Sequence, residues 1–166
     1  MTNTKKLVLL SLFGAAALIL SYIESLLPPL YSAVPGIKMG IANIVVICTL
    51  YVFSPKEALA ISLLKVGVSS LLFGNPMTFA YSFFGAMLSL GVMVVLKKTN
   101  AFSLLGVSVS GAVFHNIGQV GVAMAVLKSL YIGYYMIFLS VSAVVAGLFT
   151  GFVAYHLTNR IKNIIS

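Results

Sequence analysis

One lysine lies in the middle of a segment that is apolar enough to cross a membrane. Lys65 interrupts the stretch ALAISLLKVGVSSLLF. A charge at that depth costs at least ~2.5–3.5 kcal/mol, so such a residue usually faces a cavity or a partner and marks function. The chain has no Asp and only two Glu, Glu24 and Glu57, so few counter-ions are available. We therefore predict that Lys65 helps to bind an anionic or strongly polar group supplied from outside the chain.

A structural role for Lys65 is the alternative, in which its ammonium snorkels or bonds to backbone carbonyls and to His115. The other polar residues of the apolar segments are few. His115 and Gln119 are four positions apart and share one helical face. The predicted ligand-binding residues are Lys65, His115, Gln119, Asn116, Asn43, Glu24 and Tyr81.

These residues also have ordinary structural roles that the sequence leaves open. His115 and Gln119 can join neighbouring helices by hydrogen bonds, and tyrosines such as Tyr81 are typical of the belt at a membrane interface. In the functional alternative, Lys65, His115 and Gln119 form the floor of a pocket that opens to the outside, and tyrosines form its rim.

Standard enzyme signatures are missing from the chain. It contains no Walker-type phosphate loop, no HExxH and no serine nucleophile elbow. An Asp-rich site for magnesium and a prenyl diphosphate is excluded because there is no Asp. The single cysteine, Cys48, excludes an internal disulfide and a cysteine metal site. We expect no catalytic residues, no metal and no cofactor.

The composition indicates an integral membrane protein. The chain is 61% hydrophobic and 7% charged, with a mean hydropathy of +1.14, whereas a soluble domain carries about 25% charged residues. In a soluble protein a net charge of +8 would suggest nucleic acid. Here the cations lie between apolar segments and indicate topology, so we expect contact with membrane lipid and no nucleic-acid partner.

The apolar segments predict an all-α, polytopic membrane protein in which residues 1–166 form one domain of six transmembrane helices. The first is predicted to be a retained helix rather than a cleaved signal peptide. Ser54, Pro55 and Glu57 have the spacing of a helix start with a capping box. The predicted helices span residues 7–27, 36–53, 55–73, 78–96, 103–127 and 130–157.

Charge placement predicts the orientation of these six spans. One side collects Lys5, Lys6, Lys56, Lys97, Lys98, Arg160 and Lys162, whereas the other collects only Lys38 and Lys128. Because positive charge in short loops stays on the cytoplasmic side, both termini are predicted to be cytoplasmic.

Small residues at four-residue spacing, such as Gly85 with Ser89 and Gly147 with Gly151, predict close helix packing. We expect most of these pairs to pack within the chain and one or two to dock on another membrane subunit.

Residues 28–88 resemble the membrane family called heptaprenyl diphosphate synthase component I, or the Gx transporter family. The most specific pieces are Pro35-Gly36-Ile37-Lys38-Met39-Gly40-Ile41-Ala42-Asn43, the turn Ser54-Pro55-Lys56-Glu57-Ala58 and the helix that holds Lys65. The resemblance covers most of the chain, from the first helix to His115-Asn116. That family in turn resembles the S components of energy-coupling-factor transporters, which are six-helix substrate-binding proteins of the bacterial plasma membrane.

The resemblance implies partners as well as a fold. S components dock through small residues of the first helix onto a shared transmembrane subunit that two ATPases drive. In this chain the nearest match to the docking pattern is Ala16, Ala17 and Ser21. The leading hypothesis is thus a substrate-binding subunit of an importer for a small anionic or amphipathic molecule. The alternative is a non-catalytic membrane partner in prenyl diphosphate or quinone synthesis, or in a membrane redox complex.

Overall fold

Helices make up nearly all of the chain that the computed structural model describes, which is residues 3–26 and 40–165. The all-α prediction is confirmed for these residues. A short 3-10 helix, Leu130–Tyr134, leads into the last helix. The six α-helices are α1 (Asn3–Leu26), α2 (Asn43–Val52), α3 (Pro55–Phe73), α4 (Pro76–Thr99), α5 (Leu104–Leu127) and α6 (Tyr135–Ile165).

Four of the described helices are long and apolar enough to cross a membrane, namely α1, α4, α5 and most of α6. They support a multi-pass membrane protein. Helix α6 has 31 residues, or about 46 Å at 1.5 Å per residue, which exceeds a hydrocarbon core of about 30 Å. Helix α2 has 10 residues and is about 15 Å long. The six-span topology and the side of the termini remain predictions.

The second helix begins later than predicted. A helix was expected from Gly36, but Gly40 has a φ of +81°, and residues 40–42 form a turn before α2 starts at Asn43. A positive φ is readily adopted by glycine and does not belong to a right-handed helix. The predicted start at Gly36, the predicted outer cation Lys38 and the prolines after the first helix lie outside the described residues.

Helix α2 forms the centre of the bundle. Its residues Ile44–Leu50 are all buried, because α2 packs against α1, α3 and α6. Contacts then follow chain order from α3 to α4, α5 and α6, and α1 lies against α2 and α3. The N-terminal end of α2 is therefore surrounded by other helices, and the polar residues near it are enclosed.

Local sequence explains where several helices begin. The Ser54 side chain accepts a hydrogen bond from the Lys56 backbone N–H, and Pro55 occupies the first turn of α3, as the sequence predicts. The Glu57 carboxylate accepts from the Ser54 hydroxyl, so the reciprocal backbone bonds of the predicted capping box are not formed at this helix. Asn75 and Thr78 form a capping box at the start of α4. Such caps satisfy backbone N–H groups that have no partner within the helix.

Glycines allow α5 to contact its two neighbours at backbone distance. A Cβ added at Gly118 of α5 would lie 2.7 Å from the Cα of Gly85 in α4. A Cβ added at Gly147 of α6 would lie 2.7 Å from the Cα of Val109, and one at Gly151 would lie 2.8 Å from the Cβ of Ser108. The small-residue pair Gly147 and Gly151 therefore packs within the chain.

Candidate functional site

A small polar cavity lies beside the start of α2, where five segments of the chain meet. Its volume is about 20 Å³, which is enough for about one water molecule. Helices α1, α3, α4 and α5 contribute side chains, and the turn before α2 contributes a glycine. The lining residues are Ser21, Glu24, Gly40, Lys65, Val66, Ser69, Ser82 and His115.

Lys65 lies in the middle of α3 and lines this cavity with only 6% of its surface exposed. Its Nζ donates a hydrogen bond to Oδ1 of Asn43 at 2.6 Å. Asn43 is the first residue of α2, so this contact joins α3 to the central helix. Charge-assisted hydrogen bonds of this length are among the stronger ones in proteins. The structure thus brings together two of the predicted ligand-binding residues.

Glu24 is also buried, and its carboxylate holds the turn before α2. Its Oε1 accepts hydrogen bonds from the backbone N–H groups of Gly40 and Ile41, the second at 3.4 Å. In the sequence, Glu24 and Lys65 lie on different helices and are 41 residues apart. The structure places both on one cavity because Glu24 faces inward near the end of α1. The chain therefore supplies a carboxylate of its own to the lysine site.

His115 and Gln119 form a hydrogen-bonded pair on α5. The Nε2 atoms of the two side chains are 2.9 Å apart, as expected for positions i and i+4 on a helix. His115 lines the cavity, whereas Gln119 is fully buried behind it. One of the two predicted hydrogen-bonding residues thus reaches the cavity directly, and the second acts on it through the histidine ring.

Gly85 makes room for this pair. A Cβ added at Gly85 would lie 2.8 Å from the His115 carbonyl oxygen and 2.9 Å from Cγ of Gln119. The sequence identifies Gly85 only as a packing residue, whereas the structure places it against two candidate site residues. The larger side chain of any substitute at Gly85 would push α5 and its polar pair away from α4.

Asn116 and Tyr81 do not line the cavity. Asn116 Nδ2 donates a hydrogen bond to the Leu139 backbone oxygen at 3.0 Å, so it ties α5 to α6. Tyr81 is 2% exposed and packs in an apolar cluster with Val120 and Ala123. Their positions favour roles in packing, and a role in ligand binding remains only a prediction.

The cavity is also lined by three serines and a glycine that were not predicted to bind a ligand. These are Ser69, Ser82 and Gly40, together with Ser21, which was assigned to docking. Gly40 belongs to the motif that carries the family resemblance, and this motif is the sequence signal that could have identified it as a site residue. A serine in an apolar helix gives almost no signal, since serine is common where membrane helices pack.

The three predicted docking residues of α1 differ in position. Ala17 is fully buried, Ser21 is nearly so, and Ala16 is partly buried. Ala17 packs in the core around α2, and Ser21 lines the polar cavity. Docking through α1 would require a face that the chain leaves accessible, and of the three residues Ala16 meets this requirement best.

A second cavity of about 10 Å³ lies next to the first, with Gly40 lining both. Asn43 lines this second cavity and accepts the hydrogen bond from Lys65, which lines the first. On its far side the hydroxyl groups of Ser108 and Thr150 are 3.0 Å apart and hydrogen-bonded. Polar groups thus continue from the lysine site toward α5 and α6.

The second carboxylate of the described residues, Glu57, lies beside the start of α1, whereas Glu24 lies near the end of that helix. Glu57 lies in the first turn of α3, before the apolar stretch that begins at Ala58. Its Oε1 forms an ion pair with Nζ of Lys6 at a distance of 2.5 Å. The ammonium of Lys6, and then the hydroxyl of Ser54, lower the pKa of Glu57 to about 2. Glu24 is eighteen residues further along α1 than Lys6, about 27 Å at 1.5 Å per residue. The two carboxylates are therefore too far apart to act as a catalytic pair.

Metal-ligand groupings are missing from the part of the chain that the structure describes. No three of its His, Cys, Asp and Glu residues lie close enough together to hold an ion. The side chains that line the cavity, among them Lys65, Glu24, Ser82 and His115, can form hydrogen bonds and charge pairs.

The comparisons with known proteins agree with the resemblance in the sequence. A family model described as heptaprenyl diphosphate synthase component I matches residues 13–157. No curated protein and no solved structure matches the chain. The matched range includes every residue that lines the cavity at Lys65. The chain therefore belongs to the heptaprenyl diphosphate synthase component I family.

Proposed function

We propose that this protein is the membrane-embedded substrate-binding subunit of an ATP-driven importer for a small anionic or amphipathic molecule. The observation that carries the proposal is the polar cavity at Lys65, which several helices build inside an otherwise apolar bundle. Buried charge is costly in such a bundle. A cluster that has only a packing role does not need an ammonium, a carboxylate and an imidazole around one cavity.

Lys65 is the main binding residue in this proposal. Its ammonium holds the polar head of the ligand by a charge-assisted hydrogen bond, which is worth about 1.5–3 kcal/mol. His115, oriented by Gln119, adds a hydrogen bond, and apolar side chains of α4 to α6 contact the rest of the molecule. Asn43 holds the Lys65 ammonium in place from the start of α2.

The size of the cavity sets a requirement on the mechanism. A volume of about 20 Å³ is far below the roughly 300–1,000 Å³ of typical small-molecule pockets. Binding therefore requires the lining segments to move apart. The turn before α2, which Glu24 holds, is the connection whose release would enlarge the cavity most directly.

Transport would need further subunits. The chain has no phosphate-binding loop, so two ATPases and a shared transmembrane subunit would supply the energy, as in the S-component systems that the family resembles. We place the protein in the bacterial plasma membrane with both termini in the cytoplasm. The basic ends of α1 and α4 support this orientation, since Lys6 contacts Glu57 and Lys97 contacts the Leu50 carbonyl at one end of the bundle.

A second candidate function follows from the family's name. It describes a synthase component, and this favours a membrane partner that assists an enzyme of prenyl diphosphate or quinone synthesis. In that role we expect the protein to be non-catalytic, since the chain lacks the standard enzyme signatures.

Purification of the tagged protein from its native membranes tests the two functions against each other. For the importer we expect two ATPase subunits with Walker motifs and one transmembrane subunit in the purified complex, identified by mass spectrometry. Uptake of a metabolite by cells that express the complex should require ATP. A stoichiometric complex with a prenyltransferase, and no ATPase, would contradict the importer and establish the second function.

A further inference from the structure

The cavity at Lys65 has a negative as well as a positive side. Lys65 and Glu24 both line it. The Lys65 ammonium donates to the Asn43 oxygen, and the Glu24 carboxylate accepts two backbone N–H groups. The cavity is therefore dipolar rather than simply cationic.

Ser82 gives an independent sign that the cavity receives a polar group. It lies on α4, is 6% exposed and lines the same cavity. Its Oγ has no hydrogen-bond partner among the residues that the structure describes. Buried hydroxyl groups are nearly always hydrogen-bonded to protein or to ordered molecules. A molecule in the cavity would satisfy Ser82.

We infer that the ligand of this cavity has a zwitterionic head, with an anionic group that faces Lys65 and Ser82 and a protonated amine that faces Glu24. The inference rests on the proposed function and specifies its substrate class. The supporting observation is that Lys65, Glu24 and the Ser82 hydroxyl, which has no partner among the described residues, all line one enclosed cavity.

Other ligand charges fit less well. A purely anionic head would meet the Glu24 carboxylate at short range, and a purely cationic head would meet the Lys65 ammonium. In a low-dielectric site such like-charge contacts are strongly unfavourable. A neutral head would lose part of its hydration without gaining a full charge pair. A zwitterion pairs with both charges at once and adds no net charge to the membrane interior.

Three probes of similar size separate these cases: β-alanine carries both charges, propionate only the negative one and propylamine only the positive one. The full-length protein in detergent is heated with each probe at constant ionic strength. Unfolding is followed with a thiol-reactive fluorogenic dye, because Cys48 is the chain's single cysteine and is buried. Apparent affinities follow from the dependence of the midpoint on probe concentration.

The variants Glu24→Gln and Lys65→Met each remove one charge. Glutamine retains a carbonyl oxygen that can accept from the Gly40 N–H, so the turn before α2 stays anchored. Glu57→Gln and Lys98→Met are matched controls, since Glu57 lies at the other end of α1 and Lys98 is exposed. Neither control residue lines the cavity.

We expect wild-type protein to bind β-alanine at least about tenfold more tightly than propionate or propylamine. Glu24→Gln and Lys65→Met should each lower the β-alanine affinity at least about tenfold, and both controls should leave it unchanged. A parallel arm adds phosphatidylethanolamine, whose head group carries the same two charges. A response to this lipid alone, lost in both variants, would identify a lipid rather than a free metabolite as the zwitterion.

Two results would overturn the inference. In the first, the protein binds propionate with the same affinity as β-alanine, and Glu24→Gln binds propionate more tightly. This result would show that the cavity is an anion site in which the Glu24 carboxylate repels the ligand. The other is the absence of a selective response to either zwitterionic probe. Both leave the proposed importer intact if ATPase subunits co-purify and ATP-dependent uptake is observed. Loss of those two findings would refute the proposed function itself.

Discussion

Replacing Gly118 with alanine should destabilise the bundle, whereas the same replacement at Gly121 should not. Both glycines lie in α5, three positions apart. A Cβ added at Gly118 would lie 2.7 Å from the Cα of Gly85, 2.8 Å from the Phe84 carbonyl oxygen and 2.9 Å from the Gly85 nitrogen. A Cβ added at Gly121 meets no atom within 4 Å. The first replacement must separate α4 from α5, because all three crowded atoms belong to the backbone.

The magnitude follows from the difference between these two variants. Alanine in place of glycine favours a helix by roughly 0.8–1.0 kcal/mol, and this gain is common to both sites. Their difference isolates the cost of the overlap, which for an overpacked contact is about 1–3 kcal/mol. A protein of this size shifts its unfolding midpoint by about 2–4 °C per kcal/mol. The two midpoints should therefore differ by several degrees, with Gly121→Ala the higher.

Thermal unfolding in detergent, followed through Cys48 labelling, provides the assay. Because His115 and Gln119 lie at the same helix crossing, Gly118→Ala should also weaken ligand binding, and Gly121→Ala should not. Equal midpoints for the two variants would refute the close α4–α5 crossing, as would a Gly118→Ala protein that is more stable than wild type.

Three further predictions concern separate parts of the chain. The pKa of Glu57 falls from about 4.5 to about 2 on folding, so its contribution to stability is present above pH 4.5 and is lost as the pH falls toward 2. The difference in unfolding midpoint between wild type and Glu57→Gln should shrink over that range, and a difference that grows would contradict the ion pair. Ala16→Trp should reduce the yield of co-purified transmembrane subunit while the isolated chain stays folded. Ala17→Trp should instead destabilise the isolated chain, because Ala17 is fully buried. An unchanged yield of the partner subunit with Ala16→Trp would place docking elsewhere. A cysteine introduced at Ile164 in a cysteine-free background should react with an impermeant reagent only after cells are permeabilised, and labelling in intact cells would reverse the predicted orientation.

Much of the helical architecture could be predicted because it depends on local signals. The start of α3 follows from Ser54 and Pro55, and its end follows from Gly74 and the next proline. The start of α2 could not be predicted in this way. It depends on a positive φ at Gly40 and on the hydrogen bond that the Gly40 backbone N–H donates to Glu24, a residue sixteen positions earlier in the chain. Hydropathy alone continues the apolar segment through this turn.

The candidate site was predictable only in part, for a similar reason. Lys65 is recognisable because a charge in an apolar segment is rare, and His115 and Gln119 are recognisable from their shared helical face. The contact of Lys65 with Asn43 and the placement of Glu24 on the same cavity depend on how α1, α2 and α3 pack. Ser82 and Gly85 are small residues whose roles appear only when their neighbours in space are known.

Native mass spectrometry of the protein purified from its own membranes tests the central claim most directly. Wild-type protein and the control Lys98→Met should retain a small molecule, and Lys65→Met should lose it while remaining folded, because methionine keeps the apolar volume and removes a costly buried charge. The expected loss of affinity is at least about tenfold. A Lys65→Met protein that retains the same molecule as wild type, or that unfolds while the wild-type protein carries no molecule at all, would show that Lys65 is a structural residue.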